Sequence, residues 1–238
     1  MRKRGHVTHY NSIFKYLENP TLTPILKALV EESASPLKVV ESDFAVDSSG
    51  FATSTFRRWY DEKYGKMRSD HQWVKCHLMT GVRTNIVTSV EMTAQEAHDY
   101  PYLAPLLETT QKRFEVAELS ADKGYLGRSN LETIVKAGVT PYIPFKSNNT
   151  GEGPELWRKL WHFYQFNRPE FLEKYHKRSN VETTFSMIKA KFGASVRSKT
   201  PVAQANEVLC KVVCHNLCVL VQSIYELGVE PVFWRDAA

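Results

Sequence analysis

Long apolar runs are missing from this sequence: no segment approaches the roughly 20 residues that span a bilayer, so no membrane partner is expected. The basic start, Met1-Arg-Lys-Arg-Gly-His6, is not followed by an apolar core segment, so a secretory leader is not expected either. Cysteine is scarce, four in 238 residues, with no paired spacing; that excludes a disulfide scaffold and fits a reducing cytoplasm. No internal repeat or low-complexity tract is visible. The Gly-x-Ser-x-Gly elbow is also missing around Ser48 and Ser49, and no base can be assigned to them, so a serine nucleophile is not expected.

What is present is the balance of one globular domain with room for a small appendage, 42% hydrophobic and 24% charged. The net charge of +5 is modest for a nucleic-acid binder, but it is unevenly placed. Lys174, Lys177, Arg178, Lys189, Lys191, Arg197 and Lys199 fall in one short segment with a single acid, Glu182. A basic patch around one acid fits phosphate contacts near a metal, and it equally describes a solvated helix face. Wound as a helix at about 100° per residue, Tyr175, Glu182 and Lys189 lie within about 60° of Arg178. Beside them runs an apolar stripe of Val181, Phe185, Ile188 and Phe192, spaced as a core-facing seam.

Upstream of that helix the chain alternates strands and helices. Residues 1–36 are a helical lead-in, broken by Pro20 and Pro24 and ending in a linker at Ser33–Pro36; it has the character of a DNA-binding remnant. Leu37–Val46 is a strand running into Asp47-Ser-Ser-Gly50, which places Asp47 at a strand end. A turn aspartate capping Gly50 is the plain alternative, and Asp43 lies within the strand. Phe51–Asp70 interleaves cations with aromatics, as in a strand-binding surface or a packed loop. His71–Thr80 and Arg83–Met92 form a hairpin about Gly81, with Lys75 and His77 on one face. A helix over Tyr102–Phe114 leads to a short strand, Glu115–Ala121, ending at Asp122-Lys-Gly-Tyr125. Asp99, at a helix start, reads as a cap. A helix over Arg128–Ala137, an edge strand over Val139–Phe145 and a helix over Glu155–Gln165 follow, and Val202–Leu227 closes the chain as a long helix. Its Cys210, Cys214 and Cys218 recur every four residues beside His215 among apolar neighbours, so core packing is expected there and not a metal.

Three motifs now stand in order: Asp47-Ser-Ser-Gly, Asp122-Lys-Gly-Tyr, and Tyr175-x2-Arg178-x3-Glu182-x6-Lys189. Together they resemble the Asp-Asp-Glu (DDE) transposases of prokaryotic insertion sequences, over roughly residues 37–225. The resemblance implies an α/β, ribonuclease-H-like fold in residues 37–238: a mixed five-stranded sheet, three strands antiparallel and two parallel, flanked by helices. It implies Asp47, Asp122 and Glu182 as catalytic and metal-binding residues, with Asp47 bridging two Mg²⁺ or Mn²⁺ ions, and Tyr175, Arg178 and Lys189 as DNA contacts. Oxygen donors suit those ions, and cations make a cluster of mutually repelling acids favourable. The implied activity is phosphodiester hydrolysis at element ends and 3′-hydroxyl strand transfer into target DNA, without a protein nucleophile. Double-stranded DNA, as terminal inverted repeats and target, is the implied partner. A homodimer in a synaptic complex and a nucleoid-associated place in a prokaryotic cytoplasm also follow from the resemblance. The alternative is a truncated or domesticated relative that acts as a metal-dependent nuclease or only binds DNA.

Overall fold

The computed structural model describes residues 10–53, 63 and 73–233. Most of the cation- and aromatic-rich stretch between Phe51 and Asp70, with its arginines and Trp59, therefore lies outside the described residues, as does His71.

Five strands form one sheet: β1 (Asp43–Ala52), β2 (Trp73–Gly81), β3 (Val87–Ala94), β4 (Glu118–Ala121) and β5 (Thr140–Tyr142), in the order β3-β2-β1-β4-β5. The first three are antiparallel; β4 joins β1 in parallel and β5 joins β4 in parallel. This is the ribonuclease-H-like arrangement expected above. The first strand starts at Asp43, six residues later than the sequence suggested. Leu37 instead ends a 3₁₀ turn and is fully buried, and Lys38–Val40 form a turn. The strand also runs past Asp47 to Ala52, because β2 keeps pairing with it over that whole length.

Side chains along a strand alternate between faces, and β1 divides its residues accordingly. Phe44 and Val46 enter one core, with α3 (Leu103–Gln111), α4 (Arg128–Lys136), α5 (Glu155–Phe166) and α6 (Arg168–Tyr175). Ala45 and Phe51 enter the other, with α2 (Leu22–Ala34), α7 (Ser179–Phe192) and α8 (Pro201–Leu227). Ahead of α2 lies α1 (Tyr10–Leu17), whose last carbonyl accepts from Asn206 of α8. Leu26 and Val30 of α2 are buried against α8 and β3.

Against the expectation that no apolar run nears the length of a bilayer span, α8 is by length and composition apolar enough to cross a membrane, and its apolar residues are divided between a buried and an exposed side. Val208, Leu209, Val212, Val219 and Leu220 are buried. Cys210 is half-buried and packs against the core as expected, whereas Cys218 is half-buried and Cys214 is exposed, so the expected core packing holds for only one of the three thiols. The Lys191 ammonium lies 3.2 Å from the Cys218 thiol. Asn216, fully buried on the inner face, accepts from the Val87 N–H at 2.9 Å and donates to the Val87 carbonyl at 2.8 Å, on the outer edge of β3. The same amide also donates to Val30 O and Ser33 Oγ of α2.

Candidate active site

Parallel pairing of β1 with β4 stops at Val46↔Ala121. The next residues on the two strands are Asp47 and Asp122, which therefore emerge side by side where the backbones part company. Both point to the face that carries α7, since Val46 and Ala121 point into the opposite core. Divergence of neighbouring strands beyond their carboxyl ends is where open α/β sheets present a crevice.

Helix α7 supplies the third acid. The sequence suggested one helix from Tyr175 to Lys189, but the chain is interrupted: α6 ends at Tyr175, His176–Arg178 wind as a 3₁₀ turn, and α7 begins at Ser179. The interruption keeps Tyr175, Arg178 and Glu182 together. Arg178 lies 6.0 Å above the Tyr175 ring. Its Nη1 donates to Asp47 Oδ2 at 2.7 Å and its Nη2 to Glu182 Oε1 at 2.5 Å. The i, i+4 contact with exposed Glu182 would alone stabilise a helix by only a few tenths of a kcal/mol. Its joint hold on Asp47 makes it a link between α7 and the central strand.

Lys189 does not join that group. Its ammonium donates to Ser49 Oγ at 2.6 Å and lies 5.3 Å from the centre of the Phe51 ring, and burial lowers its pKa. The two cations expected to act alike thus sit differently: Arg178 between acids, Lys189 tucked against β1.

The carboxylates sense one another. Burial raises the pKa of Asp47, and the charges of Asp122 and Glu182 push it further up; the Ser48 N–H bond and Arg178 oppose the rise. Among the described residues no three His, Cys, Asp or Glu side chains converge as a metal-holding group, and Arg178 stands in the ground between Asp47 and Glu182. The donor chemistry still fits a hard divalent cation. All three groups are carboxylates, a single arginine opposes them, and Asp47 is driven toward protonation by burial first and by the other two acids after it.

Sequence reasoning missed two neighbours of this site. Lys177, adjacent to Arg178, donates to Asp43 Oδ2 at 2.5 Å and Glu118 Oε2 at 2.8 Å, pinning the 3₁₀ turn to the starts of β1 and β4. Asp99 makes no side-chain capping bond; it accepts from Ser48 Oγ and pairs with Lys75. Lys75 and His77 do share a strand face, but their partner lies 20 and more residues away, and no local spacing encodes that.

The family described as "Transposase DDE domain" matches residues 39–217, three quarters of the chain, and the chain belongs to that family. No curated protein matches it in sequence. Among solved structures, a piggyBac transposase synaptic complex with hairpin DNA is similar at 8% identity and a TM-score of 0.46, covering 90% of this chain. This chain spans 57% of the length of that one.

Proposed function

We propose that this chain is the catalytic domain of a DNA transposase of the insertion-sequence type, with Asp47, Asp122 and Glu182 as its divalent-cation ligands. The observation that carries the reading is that Asp47 and Asp122 leave paired β1 and β4 side by side, and that Arg178 links Asp47 to Glu182. Membership of the transposase family supports it.

Asp47, Asp122 and Glu182 would hold Mg²⁺ or Mn²⁺. Bound there, such ions would supply Lewis-acid activation of the attacking oxygen and stabilise the leaving 3′-oxygen of a phosphodiester. This chain's own residues do the rest. Burial of Asp47 keeps water from screening the charges around it. Arg178, which neutralises two of the acids in the protein alone, is placed to turn its guanidinium to a DNA phosphate once cations take over that role. Tyr175 forms the wall beneath that guanidinium. Lys189 fixes α7 along β1 through Ser49. No protein nucleophile is required: water or a DNA 3′-hydroxyl would attack.

The test is cleavage of plasmid DNA carrying the gene's own flanking sequence, with Mg²⁺, Mn²⁺ or EDTA, comparing wild type with Asp122→Asn. Nicking at defined ends that requires the metal and disappears in the variant is the expected result. Joined products separate a transposase from a nuclease. DNA binding with no cutting under any metal condition sinks the catalytic reading in favour of a DNA-binding protein.

A further inference from the structure

We propose that Asp99 is a positioning residue that holds the Asp47 strand and the Asp122 turn at a fixed separation from behind the sheet. The inference rests on the active-site reading above.

Backbone pairing between β1 and β4 ends one residue before the two aspartates. No strand hydrogen bond therefore holds Asp47 to Asp122, and the two carboxylates repel. Something else must keep their elements together. Ser48 follows Asp47 and points to the opposite face of β1. There its hydroxyl donates to Asp99 Oδ1 at 2.8 Å. The other oxygen of the same carboxylate rests on Gly124, two residues past Asp122: a Cβ built on that glycine would lie 3.3 Å from Asp99 Oδ2. One side chain thus touches both acid-bearing elements on the side away from α7.

The segment that carries Asp99 is itself held on each flank. Lys75 Nζ pairs with Asp99 Oδ1 at 2.7 Å and donates to the Ala97 carbonyl at 2.9 Å. The Tyr102 ring stacks on His77 with centroids 4.5 Å apart. Asn130 Nδ2 donates to both Tyr100 O and Tyr125 O, tying the Asp99 turn to the Asp122 turn at 2.8 and 2.9 Å. Gly127 leaves the space that the Tyr100 ring fills. Fully buried His77 lies 3.3 Å from the Tyr125 hydroxyl and 3.0 Å from Thr93 Oγ1. Burial pushes its pKa down to about 4, so it adds shape and a hydrogen bond at neutral pH, and Lys75 is the cation that faces Asp99.

The experiment measures Mn²⁺ binding to the full chain without DNA, by electron paramagnetic resonance, with melting curves on every variant. Asp99→Ala is expected to weaken Mn²⁺ binding by about ten- to a hundredfold, the range for losing a partner that orients metal ligands. Ser48→Ala shifts it in the same direction by less, and adding it to Asp99→Ala changes little, because Asp99→Ala has already removed the Ser48–Asp99 bond. Asp99→Asn, which keeps an oxygen for Ser48, restores part of the affinity. A purely structural residue would lower the melting temperature and leave Mn²⁺ affinity untouched well below it. Wild-type affinity in folded Asp99→Ala overturns the proposal, and if that variant does not fold, wild-type affinity in Ser48→Ala overturns it instead. Mn²⁺ binding indifferent to Asp122→Asn overturns the active-site reading and this inference with it. Sensitivity to Asp122→Asn but not to Asp99→Ala or Ser48→Ala overturns the inference alone.

Discussion

Two groups of acids and bases lie along the same pair of strands, joined by adjacent residues of one 3₁₀ turn. At the strand starts, Asp43 and Glu118 face Lys174 and Lys177, and every charge has an opposite. At the strand ends, Asp47, Asp122 and Glu182 share one arginine. In the first group, burial pulls the Lys177 ammonium down, but the bonds and charges of its two acids outweigh that and hold its pKa above the ordinary 10.5. In the second, Asp47 is driven upward, by burial first and by its two acidic neighbours after it, and one arginine does not offset them. A balanced cluster binds secondary structure together and asks for nothing further; an unbalanced one of the same residue types has capacity left for a cation. The difference separates scaffold from site without appeal to motif.

That contrast can be broken most severely by swapping one acid from each group. Asp47→Asn, Asp122→Asn or Glu182→Gln should lower metal-dependent cleavage by more than about 100-fold, beyond the loss of an outer partner, while DNA binding in a gel-shift assay stays nearly intact. Asp43→Asn should cut DNA within a few-fold of wild type. Equal loss in Asp43→Asn and Asp122→Asn would erase the distinction between the groups. A smaller effect sharpens it. Lys177→Met strands Asp43 and leaves Glu118 with Lys174 alone, and should lower the melting temperature by about 2–4 °C, the shift expected for about 1 kcal/mol in a chain of this length. That loss should be the same with and without Mg²⁺. The loss from Arg178→Met should shrink when Mg²⁺ is added, and a Mg²⁺-independent loss would argue against cation exchange at the site.

The smallest expected effect is a slope. The folded-state pKa of Asp47 lies above the ordinary 3.8, so the folded chain keeps this proton more readily than the unfolded one. Its ionisation therefore subtracts stability as pH rises from about 4 toward neutrality, and acid restores it. His77 acts in the opposite sense: its pKa is lowered from 6.5 to about 4, so stability is lost as pH falls across that interval. Urea midpoints of the metal-free protein across this range should show a gain at neutral pH in Asp47→Asn. In a His77→Gln variant the loss on the acid side should be reduced. An Asp47→Asn protein no more stable than wild type at neutral pH would mean that the acid is not strained without metal.

Much of the frame was legible because it depends on local punctuation. Asp122 follows a short apolar strand and precedes a glycine turn, and the structure places it so. Asp47 was read at a strand end for a reason that turned out to be incomplete. Its own strand continues, and what stops is β4, a distant segment whose length only pairing reveals. The Tyr175–Lys189 spacing suggested a single straight helix. The break at His176–Arg178 accompanies ion pairs from two successive residues to two points on β1, which periodicity does not contain. In α8, apolar residues lie on nearly every side, so the pattern could not say which side the sheet would take; packing chose the valine and leucine face, took Cys210 in beside it and left Cys214 exposed. Asp99 was visible as an acid before a turn, but its partners come from β1, β2 and the Asp122 turn, and only the assembled sheet brings them to it.

The Asn216 amide at the edge of β3 reaches beyond the domain it belongs to. An uncovered strand edge is a template on which another chain can lay down a strand, the first step toward sheet-to-sheet polymers. By offering Val87 both an acceptor and a donor, one side chain from a helix imitates the neighbour that β3 lacks. The same amide also bonds Val30 and Ser33, so α2 helps to hold it in this place. Loosening of that helix would therefore weaken the cover on the edge, and the first symptom would be growth of insoluble chains and not a change at the acids.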